Sequence, residues 1–90
     1  MKEIFTHGVT LHVDPVVVDD YEILILIKKL DEKQLQYVPD AIRKLLGEEQ
    51  EQMIIDAMVA DHGRCRISDM FAIVNDVIDQ LSKQDETVKK

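Results

Sequence analysis

The sequence predicts an α+β fold: an N-terminal β-hairpin followed by about four helices, a mostly helical single domain. Three observations carry this prediction. Apolar residues alternate on either side of His7-Gly8. Two later glycines, Gly47 and Gly63, each end one amphipathic stretch and precede another. The stretch from Met70 to Leu81 repeats its apolar residues at helical spacing. Ninety residues make one domain. Residues 1–82 are expected to form its globular part, and the polar residues 83–90 a flexible tail.

Residues 3–13 read as the hairpin. A two-residue His7-Gly8 turn, with glycine supplying a positive φ, pairs Thr6 with Val9, Ile4 with Leu11 and Lys2 with Val13. Ile4, Val9, Leu11 and Val13 then share one face. Glu3 meets His12 and Phe5 meets Thr10 on the other. A lone hairpin is marginal, so its apolar face must lie on helices.

Asp14-Pro15 is a helix-start signal, with Asp as N-cap and Pro at the first helical position. Val16-Val17-Val18 and Ile23-Leu24-Ile25-Leu26-Ile27 resemble buried strand when taken alone. Their flanks argue for helix: Asp19-Asp20 before and Lys28-Lys29 after match the helix dipole. A helix from about Asp19 to Leu30 places Ile23, Leu24, Ile27 and Leu30 on one stripe. Ile25 and Leu26 fall partly outside it. They are either buried by other elements or in contact with a partner.

Asp31 to Tyr37 is a polar connector. Pro39 opens a short helix carrying Ile42, Leu45 and Leu46 and closed by Gly47. Glu48 to Ala60 is the next helix, with Glu48, Glu49 and Glu51 at its positive end and Met53, Ile54, Ala57 and Met58 as its stripe. Gly63 ends it. Arg64 to Ile67 is extended, and Ser68 is a plausible N-cap for a last helix with Met70, Phe71, Val74, Val77, Ile78 and Leu81 inward.

Bulk properties exclude several function classes. The net charge is −7, which repels phosphate backbones and anionic membrane surfaces, so neither nucleic acid nor membrane is an expected partner. The longest apolar run is far short of the roughly 20 residues that span a bilayer. The N-terminus has no continuous apolar core of a secretory signal, and the single cysteine, Cys65, suits a reducing compartment. The expected location is cytoplasmic.

Reactive chemistry is sparse. His62 and Cys65 have ligand-like spacing, but His7 and His12 flank the hairpin on opposite faces, so no metal site is expected. Arg64 and Arg66 would lower the Cys65 pKa, yet no base–orienter arrangement accompanies it. No carboxylate stands isolated in apolar sequence, and no phosphate or dinucleotide loop is present. No catalytic residue, cofactor or enzymatic activity is expected. Met53, Met58 and Met70 sit on apolar stripes as core filling. Ile25, Leu26, Ile55 and Val59 lie off the core stripes and are the candidate partner-binding residues.

Several segments, in this order and spacing, carry a resemblance: Val9-Thr10-Leu11-His12-Val13-Asp14, Asp19-Asp20-Tyr21-Glu22-Ile23-Leu24, Leu45-Leu46-Gly47-Glu48-Glu49-Gln50 and Asp61-His62-Gly63-Arg64-Cys65. With them the chain resembles the small tail assembly chaperones of long-tailed bacteriophages and prophages of Gram-positive bacteria. Val16-Val17-Val18 and Cys65 depart from that pattern. The resemblance implies a non-catalytic binding protein. It would coat and solubilise the tape measure protein, help recruit tail tube subunits, and be absent from the mature virion. It also implies that some members are made in a longer frameshifted form. Self-association stays open. The competing reading from composition is a small acidic structural or regulatory adaptor, antitoxin-like.

Overall fold

The computed structural model describes the backbone of residues 1–89 and the side chains through Ser82. Strands β1 (Lys2–Thr6) and β2 (Val9–Val13) form an antiparallel hairpin. A 3-10 turn (Pro15–Asp19) leads into α1 (Tyr21–Asp31), and a second (Leu35–Tyr37) into α2 (Val38–Leu46). Helices α3 (Glu48–His62) and α4 (Ile67–Lys89) complete the chain. This is the predicted α+β arrangement. The tail expected over residues 83–90 lies outside the residues whose side chains are described.

The hairpin has the register expected from its alternation, Thr6 opposite Val9 through Lys2 opposite Val13. His7 and Gly8 both take positive φ, 51° and 81°, as a two-residue turn matched to strand twist requires. Ile4, Leu11 and Val13 are fully covered, and Thr6 is buried with its Oγ1 2.8 Å from His7 Nδ1. Both outer edges of the hairpin are tied to helices by glutamine amides. The His12 backbone N–H donates to Gln50 Oε1 at 2.7 Å, while Gln50 Nε2 donates to the His12 carbonyl at 2.9 Å. On the β1 side, Gln80 Nε2 donates to the Phe5 carbonyl at 3.1 Å. These amides occupy part of the row of backbone groups that would otherwise template another strand.

Helix α2 is the centre of the fold. Val38, Ala41, Ile42, Leu45 and Leu46 are all buried, the i, i+3, i+4, i+7, i+8 pattern of a helix with one wide apolar face. That face meets α3, α4 and β2, and α1 packs alongside. Asp40, Arg43 and Lys44 lie on its other side. Each fully buried aliphatic side chain contributes roughly 1.5–3 kcal/mol, so α2 is the most heavily anchored short element.

Helix α4 supplies the rest of the core through Met70, Ile73, Val74, Val77 and Leu81. Ile73, absent from the stripe expected from sequence, is fully covered, whereas Phe71 and Ile78 are half-buried. Ser68 is not the cap: α4 begins at Ile67, and the Met70 N–H donates to the Arg66 carbonyl at 3.1 Å. Helix α3 is peripheral, with only Ile54 and Met58 buried, and extends two residues past Ala60 to His62. Met53, expected on its inward stripe, is exposed.

The start of α1 also differs from expectation. Asp14 caps the 3-10 turn, accepting from the Val16 N–H at 3.1 Å, and Asp19 closes that turn. Asp20 is the N-cap of α1, accepting from the Glu22 N–H at 2.8 Å. The helix ends without glycine. The Lys33 N–H donates to the Leu30 carbonyl at 2.9 Å, and the Gln34 N–H to the Lys29 carbonyl at 3.1 Å. This is the paired closure of a Schellman motif, with Lys33 in the left-handed position at φ 68°. Left-handed backbone costs an L-residue roughly 1–2 kcal/mol, partly offset in glycine by its greater unfolded-state freedom. Lys33→Gly is therefore expected to stabilise the fold by about 0.5–1 kcal/mol in urea denaturation.

Candidate functional site: two apolar clefts beside α2

Helix α1 has two apolar faces. Ile23 and Leu30 are buried, with Leu26 and Ile27 half-buried against the core. On the opposite stripe, Tyr21 is 74% exposed, Leu24 60% and Ile25 39%. Leu24 was expected inside, with Ile23. Five successive aliphatic residues must surround the helix at about 100° per residue, so one flank cannot reach the core. Tyr21, Leu24 and Ile25 stand at i, i+3, i+4, the spacing that presents a continuous strip to one partner. Val16 and Val18, in the preceding 3-10 turn, are also exposed.

This strip adjoins an open groove of about 550 Å³ between α1 and α2, lined by Glu22, Ile25, Leu26, Lys29, Tyr37, Asp40, Arg43 and Lys44. Its floor is apolar and its rim is charged. At one end Lys44 Nζ pairs with Glu22 Oε1. At the other, Lys29 Nζ lies 4.3 Å from the centre of the Tyr37 ring, a cation–π contact. Arg43 Nε donates to Glu51 Oε1 at 2.8 Å, joining α2 to α3. The hydrogen bonds and charges of Glu51 and Glu22 hold the Arg43 and Lys44 cations above their ordinary pKa values, so both keep full charge at neutral pH.

A second cleft, about 340 Å³, lies on the other side of α2. Val38, Pro39 and Ile42 form one wall, Ile55 of α3 another, and Leu35, Cys65, Ile67 and Met70 complete it, with Gln36 and Glu51 at the rim.

The four residues proposed from sequence therefore do not share one surface. Ile25 and Leu26 line the α1–α2 groove, Ile55 lines the second cleft, and Val59, 46% exposed on α3, lines neither. Helix α2 packs against both α1 and α3 and separates the two groups. Tyr21 and Leu24 complete the α1 strip and were missed. Their signal was present in the unbroken aliphatic run, which is too apolar all round for a helix with one buried face.

Cys65 is half-buried in the second cleft. Its thiol pKa is raised, first by burial and then by the charges of Asp69 and Glu51, opposite to the lowering expected from Arg64 and Arg66. The folded protein thus holds a proton that the unfolded chain releases more readily. This thiol's contribution to stability is present below its ordinary pKa and fades as pH rises past it. At pH 8, iodoacetamide is expected to alkylate Cys65 more slowly in the native protein than in urea, a difference readable by intact mass.

Among the described residues, no group of three or more His, Cys, Asp or Glu side chains is placed to hold a metal ion. No described helix is long and apolar enough to cross a membrane. No family model, curated protein or solved structure matches the chain.

Proposed function

We propose that this chain is a tail assembly chaperone of a long-tailed bacteriophage or prophage. It acts by binding, without catalysis. In the bacterial host cytoplasm it holds the helical tape measure protein in solution, helps bring tail tube subunits to it, and leaves before the virion is complete. The observation that carries this reading is the exposed strip Tyr21–Leu24–Ile25 running into the apolar-floored groove between α1 and α2. A helix that shows an apolar strip on its outward side marks a contact surface, and an open groove beside it suits an amphipathic client helix. The net charge of −7 supports the holding role, since like-charged complexes repel and stay dispersed.

The test is co-expression with a tape measure protein of a long-tailed phage or prophage from the same host. The client is expected to move from the insoluble to the soluble fraction and to co-purify with this chain. A client that stays insoluble, or that dissolves without retaining the chain, contradicts the proposal.

A further inference from the structure

We propose that two copies of the free chain pair through the outward faces of α1, antiparallel about a two-fold axis between Leu24 and Ile25. The pair forms from this chain alone and so goes beyond the client reading. Tyr21, Leu24, Ile25 and Lys28 are all exposed and stand at i, i+3, i+4 and i+7, one line along the helix. Turned end over end about that axis, the line lies on a copy of itself. Leu24 meets the other copy's Ile25, Ile25 meets its Leu24, and each Lys28 reaches the other's Tyr21.

The strip is thus its own complement. Aliphatic side chains meet in the middle, and a cation meets an aromatic ring at each end. The chain makes the same kind of contact internally, with Lys29 Nζ 4.3 Å from the centre of the Tyr37 ring. Among the described residues Lys28 makes no ion pair, whereas Glu22 is held by Lys44. Lys28 also arrives beside Asp19 and Asp20, the carboxylates just before α1. Asp31 and Glu32 fall beyond the start of the other copy's helix. A parallel pairing would set Lys28 against Lys28, while the antiparallel one also opposes the two helix dipoles favourably.

The eleven residues of α1 make a helix about 16 Å long, so the contact lies at the small end of the interface range. The pair is therefore weak, with a Kd on the order of 100 μM. The net charge of −7 on each copy does not forbid it, because a Debye length of about 8 Å at physiological ionic strength screens the bodies outside the contact. A two-fold contact closes on itself, so association stops at the dimer. The copies separate on dilution, or when a client helix takes the same strip.

Sedimentation equilibrium of the intact chain, without client, tests this from about 10 μM to about 1 mM, a range that brackets the expected Kd. A monomer–dimer equilibrium is expected. Tyr21→Lys sets lysine against the other copy's Lys28, and Lys28→Glu sets a carboxylate against its ring and acidic helix start. Each is expected to weaken the dimer about tenfold, the sum of two exposed contacts. Both positions are exposed, and the thermal midpoint of each variant confirms its fold. An equimolar mixture of the two variants should restore dimerisation, because every lysine at 21 then faces a glutamate at 28. Tyr21→Lys also lowers the net negative charge, so an effect of overall charge would strengthen association where this pairing weakens it. A chain that stays monomeric throughout overturns the inference and leaves the client reading, which co-expression tests separately. Dimers that neither variant weakens, a mixture that fails to restore them, or oligomers that grow past two also overturn it.

Discussion

Replacing Leu24 and Ile25 together by aspartate is expected to abolish client solubilisation while leaving a folded protein. Both side chains are exposed or nearly so, which limits the direct stability cost to about 1 kcal/mol. An aspartate in the first turns of α1 also opposes the helix dipole favourably. The binding cost is of a different order, because two carboxylates would be forced against an apolar client stripe and desolvated there without partners. Each such burial costs several kcal/mol, enough to reduce binding by more than about a hundredfold. The measurement is the soluble client fraction, read beside the thermal midpoint of the purified variant. An unchanged client fraction would remove α1 from the binding surface. Val59→Asp provides the contrast. Val59 is exposed on α3 outside both clefts, and its substitution is expected to leave solubilisation unchanged.

The second large effect falls on the joint between α2 and α3. Gly47 has φ 87° and ψ 162°, a region that essentially only glycine occupies. Its N–H donates to the Arg43 carbonyl at 2.9 Å and its carbonyl accepts from the Glu51 N–H at 3.0 Å, so one residue both ends α2 and starts α3. A Cβ at this position would meet no atom within 4 Å. The cost of Gly47→Ala is therefore a backbone cost, about 1–3 kcal/mol. For a chain of this length that lowers the thermal midpoint by on the order of 10 °C. Gln50 links the joint to the hairpin, donating to both the Leu46 and His12 carbonyls. Strain at Gly47 should thus be felt at β2 as well as in the helices.

How much of this was legible in the sequence depended on periodicity. The hairpin register follows from alternation and a two-residue turn, because a slip of one residue would turn Ile4, Leu11 and Val13 to solvent. Helices α2 and α3 were bounded by Gly47 and Gly63, whose positive φ values are the physical reason those joints exist. Helix α1 was harder. An unbroken aliphatic run has no polar face to set its phase, so Leu24 was placed inward and Tyr21 was not considered. The start of that helix was obscured by the 3-10 turn, which used Asp14 and Pro15 as an α-helix would. Its end was read to within one residue, at Leu30 against Asp31, from the Lys28-Lys29 flank, although Lys33 takes the left-handed position that glycine usually marks.

The site was only partly legible for a related reason. Residues off a core stripe can be identified one helix at a time, but whether they converge depends on the helix between them. Ile25, Leu26, Ile55 and Val59 were grouped as one partner surface, whereas α2 sets Ile25 and Leu26 apart from Ile55 and Val59. Cys65 illustrates the limit for electrostatics. Its sequence neighbours are arginines, but burial and the carboxylates of Asp69 and Glu51 govern its thiol.

The most direct measurement is hydrogen–deuterium exchange of the chain alone and in complex with the tape measure client. Amides of α1 from Tyr21 to Lys29 and of the facing side of α2 are expected to gain protection on binding, with α3 from Val59 to His62 unchanged. Protection confined to α3 or to the second cleft, with α1 exchanging as in the free protein, would contradict the α1–α2 groove as the client site.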